Sequence, residues 1–409
     1  MHRARSRVYK PGRNQLIGPA RSGPEQTRRH ENSVHQLSSR RRRRAHDLCV
    51  VAGGSVARRA RRGRGGAGRK PAVQGCARNA WRADPGAGFP GGMLAALPAA
   101  SRLRRLLVQE RFDVVHVNGA ADHRVCMFAT LGLGADSPAV VYTQHNDRPA
   151  SSFGAMMRAR LATDRVICVC EHTRRKLMRS AFGRCGLRTV RNGVDIVRFA
   201  PPTPVAAAQA RRRWLPAALA DRLVVGSNAG TADYKRWPDM VEAVSLLPAP
   251  LRERVVVMVA GEPPGEHERR RVRELGMEDQ VVFPGLLEDV RPFVAALDVG
   301  FVLSSEMETI SFACREMMAM GVPVIVSKAG GLAENVHAGL DGWVVPARAP
   351  ETVAAVLRDI LAQPRLLGPM GRAAREKAVR DFALTRFVAD THAVYVEALA
   401  QAQRPLRLA

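Results

Sequence analysis

The chain has 409 residues, long enough for two domains with separate cores, and its 64 Lys and Arg against 37 Asp and Glu leave a formal charge of +27. No run of eighteen apolar residues occurs, so no membrane-spanning helix is indicated. Seven cysteines at irregular spacings give neither a disulfide framework nor a zinc pattern, and a reducing cytoplasm fits best.

The charge is unevenly spread. Residues 1–92 hold 22 of the basic residues and 4 of the acidic ones, whereas the remaining 317 residues carry 42 and 33. The block Arg40 to Arg44 and the Arg/Gly-rich run Ala57 to Lys70 have little apolar periodicity. Such a segment cannot bury enough surface to offset its ordering entropy, which predicts disorder. GC-rich codons read out of frame also yield Arg, Gly, Ala and Pro, so mistranslation of this segment is a second expectation. Its aromatics, Tyr9, Trp81 and Phe89, are isolated and offer no stacking platform, so nucleic acid is not expected as a partner. No apolar stretch follows the basic residues as a secretory signal would require. Leu48 to Ser55 (LCVVAGGS) reads as one strand with a glycine-rich loop.

Beyond residue 92 the pattern changes. A helix over about Pro98 to Gln109, with the proline in its first turn, leads into a strand at Asp113–Val117. Strands at 139–144, 165–170 and 187–190 follow, about half of a Rossmann-like sheet. Asn192-Gly193 is a turn pair, and Pro201, Pro202 and Pro204 stiffen the linker after it. Strand candidates then recur at Leu223–Gly226, Val255–Gly261, Val281–Phe283, Val299–Leu303, Pro323–Ser327 and Gly342–Val345. Helical patterns at Trp237–Leu247, Glu266–Leu275, Val290–Leu297, Ser311–Met320 and Leu332–His337 separate them. Short apolar strands alternating with helices predict a parallel, doubly wound sheet with helices on both faces. Pro350–Gln363 and Arg372–Asp381 extend the helical part, and Phe382–Leu399 is amphipathic.

The most informative stretch is residues 301–346. A buried strand ends in a loop carrying Glu308, Thr309 or Ser311 can cap the next helix, and Gly321 stops it. Glu316 lies about two turns into that helix. A second strand opens into Lys328-Ala329-Gly330-Gly331. Two strand–loop–helix units side by side make a crevice whose backbone N–H groups would face a phosphate.

The order Glu308-x7-Glu316, then Met320-Gly321-Val322-Pro323-Val324, then Ser327-x-x-Gly330-Gly331-x-x-Glu334 resembles the signature of retaining GT-B glycosyltransferases, group 1 or family 4. Arg191 to Pro201 (RNGVDIVRFAP), Phe112–Val117, Val140–Asp147 and Arg165–Glu171 resemble further segments of that family, and the likeness covers about residues 93–400.

The resemblance implies a GT-B fold of two Rossmann-like domains, the N-terminal one incomplete. It divides the chain into a basic segment (1–92), an acceptor-side domain (93–204), a nucleotide-sugar domain (205–380) and a returning C-terminal helix (381–409). It implies transfer of a sugar, with retention, from a nucleotide-sugar donor to a glycan or lipid-linked acceptor, in cell-envelope polysaccharide or lipopolysaccharide synthesis. Glu308 would hold hydroxyls of the moving sugar, Glu316 the ribose, and His145 would reach the donor sugar from the opposite domain. Lys235, the helix start at Ile310 and Ser311, and the turn Gly330-Gly331 would offer charge and N–H groups to the diphosphate. Glu334 completes the motif, with capping of its short helix as the other reading. His116 ends a neighbouring strand.

Neither metal nor cofactor is implied, and the nucleotide sugar is a substrate. One departure stands out: the arginine that the family pairs with the lysine is missing from Ser227-Asn228-Ala229-Gly230, and Arg236 is the nearest substitute. The alternative readings are a weak or inactive GT-B protein serving as a binding subunit, a basic nucleic-acid-binding protein, or a GT-B epimerase or phosphorylase. Basic residues interleaved with apolar ones at His172–Phe182 and Arg102–Leu107 predict peripheral contact of a cytoplasmic protein with the anionic inner membrane.

Overall fold

The structure, a computed structural model, describes residues 49–51, 96–147, 150–306 and 308–402. The readings of residues 1–92 therefore lie outside the described residues, except for the strand at Leu48–Ala52. That strand is β1 (Cys49–Val51), and it opens a sheet with β2 (Val114–Val117), β3 (Ala139–Gln144), β4 (Arg165–Cys168) and β5 (Leu187–Thr189) in that spatial order. β2 to β5 are parallel, but β1 runs antiparallel to β2, with Cys49 opposite His116 and Val51 opposite Val114. The strand read at Leu48–Ala52 is thus present, with a direction opposite to that of the other strands in its sheet. It lies on the sheet edge, where a strand can pair in either direction.

The second sheet comprises β6 (Leu223–Ser227), β7 (Val255–Ala260), β8 (Val281–Gly285), β9 (Val299–Val302), β10 (Val324–Ser327) and β11 (Gly342–Val345). Its order is β11-β10-β9-β6-β7-β8, parallel throughout. From β6 the chain moves outward through β7 to β8, then returns to β9 on the other side of β6. The gap between the carboxyl ends of β6 and β9 is a topological switch point, the place where α/β sheets bind ligands.

Helices connect the strands: α1 (Leu97–Glu110), α2 (Ala120–Thr130), α3 (Phe153–Leu161), α4 (Glu171–Met178), α5 (Pro204–Trp214), α6 (Trp237–Ser245), α7 (Ala249–Arg252), α8 (Glu266–Glu274), α9 (Arg291–Val294), α10 (Phe312–Ala319), α11 (Pro350–Ala362), α12 (Leu367–Asp381) and α13 (Leu384–Ala402). Two expected helices shrink. Val290–Leu297 is helical only over the four residues of α9, which begins at a proline-containing turn, and Leu332–His337 is a 3-10 turn over Leu332–Asn335 that ends where Val336 becomes extended.

Strand residues alternate between two cores in each sheet, as the pleat requires. In the first, Val115, Val117, Val140, Tyr142, Val166 and Cys168 meet α1 and α2 through Leu103, Leu107, Val125 and Ala129. On the other face, Val114, Val141 and Ile167 meet Val394 and Ala398 of α13, which returns from the second sheet to cover the first. The second sheet is sandwiched likewise, with Val256, Met258 and Val324 toward Met317 and Met318 of α10. Val225, Val257 and Ile325 face Trp237, Met240 and Leu357. Among the described residues, no helix is long and apolar enough to cross a membrane.

Candidate functional site

At the switch point two polar clusters form. In the first, Lys235 Nζ lies 2.5 Å from Glu308 Oε2, and Ser304 Oγ donates to the same oxygen at 2.8 Å. Ser304 follows β9, and Ser305 N donates to Tyr234 O at 2.9 Å, so the loop after β9 holds the turn that presents Lys235. Lys235 and Glu308 are only 7 % and 8 % exposed. A charge that deep is tolerated when its partner sits against it.

In the second cluster, Asn228 Nδ2, just past β6, donates to Glu316 Oε2 at 2.9 Å. Burial raises the Glu316 carboxyl to about 7, with the Asn228 hydrogen bond opposing it. A carboxylate poised there can exchange its proton for hydroxyl donors of a ligand. Asn228 stands in the segment that lacks the expected arginine. Arg236 does not replace that arginine, because its guanidinium is bound to Asp239 of α6, Nη2 to Oδ1 at 2.5 Å.

Helix α10 begins one residue later than Ser311. Ser311 is its N-cap, the hydroxyl accepting from Cys314 N at 3.3 Å. Ile310 precedes the cap and is partly buried. Thr309 does not cap but crosses the seam between the two sheets, its hydroxyl donating 2.9 Å to His145 O. His145 itself is exposed, with Nε2 3.2 Å from Asn118 Oδ1. Its backbone is therefore joined to the Glu308 loop, while its ring faces the loop after β2. His116 is buried between Thr143 Oγ1 (2.6 Å) and Tyr395 Oη (2.8 Å). Burial, then the nearby His145, lowers it to about 3, so it is a neutral structural imidazole.

Two expectations need correction. Gly331 N is not free for a phosphate: it donates to Glu308 O at 2.9 Å. Gly330 has φ +52°, and a Cβ there would stand 2.1 Å from Glu308 O. Both glycines thus hold this turn close against the Glu308 loop. Glu334 does not cap its own turn. Its carboxylate reaches across to the N-terminus of α4, accepting from Glu171 N (2.9 Å) and His172 N (2.6 Å), where the helix dipole favours a negative charge.

Residues that sequence reasoning missed are Asn228, Ser304, Asn335 and Arg315. Arg315, 2 % exposed, donates from Nε to Asn335 Oδ1 at 2.8 Å and from Nη1 to Asn192 O at 2.5 Å. Burial lowers its guanidinium to about 10. Its place beside Glu316 in sequence was the one available signal.

Comparison with known proteins agrees with this architecture. Residues 30–198 match the profile of Glycosyltransferase Family 4, and residues 221–363 match that of Glycosyl transferases group 1. The former begins inside the basic segment. A GDP-mannose-dependent alpha-(1-6)-phosphatidylinositol monomannoside mannosyltransferase of Mycolicibacterium smegmatis is 29 % identical over 301 residues, covering 70 % of this chain and 77 % of its own length. A D-inositol 3-phosphate glycosyltransferase of Streptomyces bingchenggensis is 33 % identical over 251 residues, 58 % of this chain and 54 % of its own. Among solved structures, a glycosyltransferase from Rickettsia africae superimposes with a TM-score of 0.65 at 18 % identity, covering 76 % of this chain and 84 % of that one. Anabaena HepE in complex with UDP gives 0.63 at 20 %, covering 74 % and 84 %. With two parallel-sheet domains and two successive glycosyltransferase profiles, the chain belongs among the GT-B glycosyltransferases.

Proposed function

We propose that the chain transfers a sugar, with retention, from a nucleotide-sugar donor to a glycan or lipid-linked acceptor of the cell envelope. The observation that carries this reading is the pairing of Lys235–Glu308–Ser304 with Asn228–Glu316 at one switch point. An ammonium has three donors and a carboxylate about four lone-pair sites, so Lys235 and Glu308 can stay paired while each takes a ligand group. Lys235 would neutralise the departing diphosphate and Glu308 would accept sugar hydroxyls. Glu316 and Asn228 would hold the ribose. As the anomeric C–O bond to the β-phosphate breaks, charge grows on the phosphate oxygen beside Lys235 and the α10 N-terminus, where stabilisation counts most. The acceptor oxygen bonds to the same face, and its proton passes to that phosphate oxygen. A mannosyltransferase and an inositol-phosphate glycosyltransferase among the relatives, and UDP in a fold neighbour, support a nucleotide-sugar donor. Calorimetric titration with UDP-, GDP- and ADP-sugars tests the reading. Glu316→Ala should abolish binding with the fold intact, and unchanged donor affinity would sink it. The anomeric configuration of the product, read by NMR, tests retention.

The acceptor reading carries peripheral membrane contact with it. Arg175, Lys176 and exposed Met178 of α4 and the basic α1 with exposed Leu97 and Val108 supply charge and apolar area on the acceptor side. Absence of binding to anionic vesicles at low salt would remove this part alone.

A further inference from the structure

Two segments cross between the sheets, 192–194 and 382–384, and they are bonded to each other. Val194 N donates to Phe382 O at 2.7 Å, Leu384 N donates to Val194 O at 3.1 Å, and Val194 bridges Ala383 in parallel. A Cβ at Gly193 would stand 2.7 Å from Leu384 Cα, so the crossings touch backbone to backbone. Relative motion of the two sheets must pass through this pair.

Arg315 touches both crossings. One N–H bonds Asn192 O, and the guanidinium lies over the Phe382 ring at 4.4 Å from its centroid. Its third contact, Asn335, is held in turn by donation to Leu332 O at 2.9 Å. Among the described residues no carboxylate lies within ion-pair distance of Arg315. A buried cation among neutral partners is costly, and a methionine would fill the space. What the planar fork adds is simultaneous bonding in its plane and stacking on its face. A second arginine, Arg375 of α12, bonds the same region, reaching Ile196 O, Phe199 O and Ala319 O at the end of α10. Helix α10 is thereby tied to the crossings through Arg315 in its middle and, at its C-terminal end, to the chain just beyond the first crossing. It is the helix that bears Glu316 and is capped by Ser311.

We propose that Arg315 is a positioning residue that locks α10 to both interdomain crossings, so that nucleotide held by α10 and rotation of the sheets are coupled. The kinetic part rests on the proposed transferase function, whereas the mechanical part does not. Hydrogen exchange of the full chain, with and without saturating UDP or GDP as the probe, reads the amides of Val194 and Leu384. In Arg315→Met, exchange at both crossings should rise at least about tenfold while β7 and β9 keep their protection. Nucleotide affinity should change less than about threefold and kcat should fall at least about tenfold, with partial recovery in Arg315→Lys. Where Arg315→Met does not fold, Arg315→Lys and Asn335→Ala are read at the same amides. Crossings as protected as in the wild type, or exchange rising evenly over the second sheet, would overturn the proposal. A chain that transfers sugar from no donor would refute the transferase reading and leave the exchange result to decide the coupling.

Discussion

Lys235 and Glu308, 73 residues apart in sequence, meet as a 2.5 Å ion pair in a site nearly closed to water. Sequence reasoning assigns one to phosphate and the other to sugar hydroxyls. The structure shows that each also completes the other's charge.

That pairing predicts non-additive stability. Removing either partner alone leaves a buried, uncompensated charge and should cost about 3–5 kcal/mol. Lys235→Met combined with Glu308→Gln should cost less than the sum of the two, because no net charge remains. Urea unfolding of the three variants measures the difference, and strict additivity would contradict a shared buried pair.

Stability should rise with pH and level off near pH 7. Burial holds His116 and His123 at about 3 and raises Glu316 to about 7. Between the ordinary carboxyl and imidazole values, the unfolded chain holds two histidine protons that the folded chain lacks. The folded chain holds one Glu316 proton that the unfolded chain lacks. The unfolded state binds one proton more, so these three groups make stability rise by roughly 1.4 kcal/mol per pH unit across that window. Above the imidazole value the unfolded chain's histidines and the folded chain's Glu316 lose their protons over the same pH range, so their contributions nearly cancel and stability levels off. Glu316→Gln should steepen the rise to roughly twice that slope and raise the level reached above it. Thermal unfolding across pH 4.5 to 8 would show both effects.

The fold was legible because buried parallel strands advertise themselves. Val255–Ala260 is buried at every position, and its apolar run could be read almost to the residue. The loops were harder. Glu308 and Glu316 could be placed near a phosphate crevice from their spacing, but Glu334 could not be placed at the α4 N-terminus. That contact joins residues 162 and more positions apart, and no local pattern encodes it. Arg315 was hidden for a different reason: an arginine on a helix is usually solvated, and only the crossing segments packed over it make it a buried fork.

Glu334 offers a direct test of the seam. Its carboxylate satisfies two N–H groups of α4 from across the interface, a cap supplied by another domain. Glu334→Ala should lower stability by roughly 0.5–2 kcal/mol, the range of a lost N-cap. Exchange of the Glu171 and His172 amides should accelerate more than that of β4. Glu334→Gln keeps an acceptor oxygen and should recover part of the loss. Unaltered exchange at α4 would show that this contact does not hold the seam.

Gly331 sets how closely the seam can shut. A Cβ there would lie 2.3 Å from Thr309 O and 2.5 Å from Cys170 Sγ, so an alanine must displace the loop after β9, the chain after β4, or both. The loop carries Glu308 and, through Thr309, the hydrogen bond to His145 O. Gly331→Ala should therefore lower stability by about 1–3 kcal/mol, the usual range for overpacking, and weaken nucleotide binding as Glu308 shifts. Cys170→Ala removes the sulfur but not the carbonyl, which is the nearer obstacle and belongs to the backbone. Adding it to Gly331→Ala should restore little of either property. Full rescue of stability and affinity in the double variant would place the obstruction at Cys170, and the Thr309 loop would then have no part in closing the site.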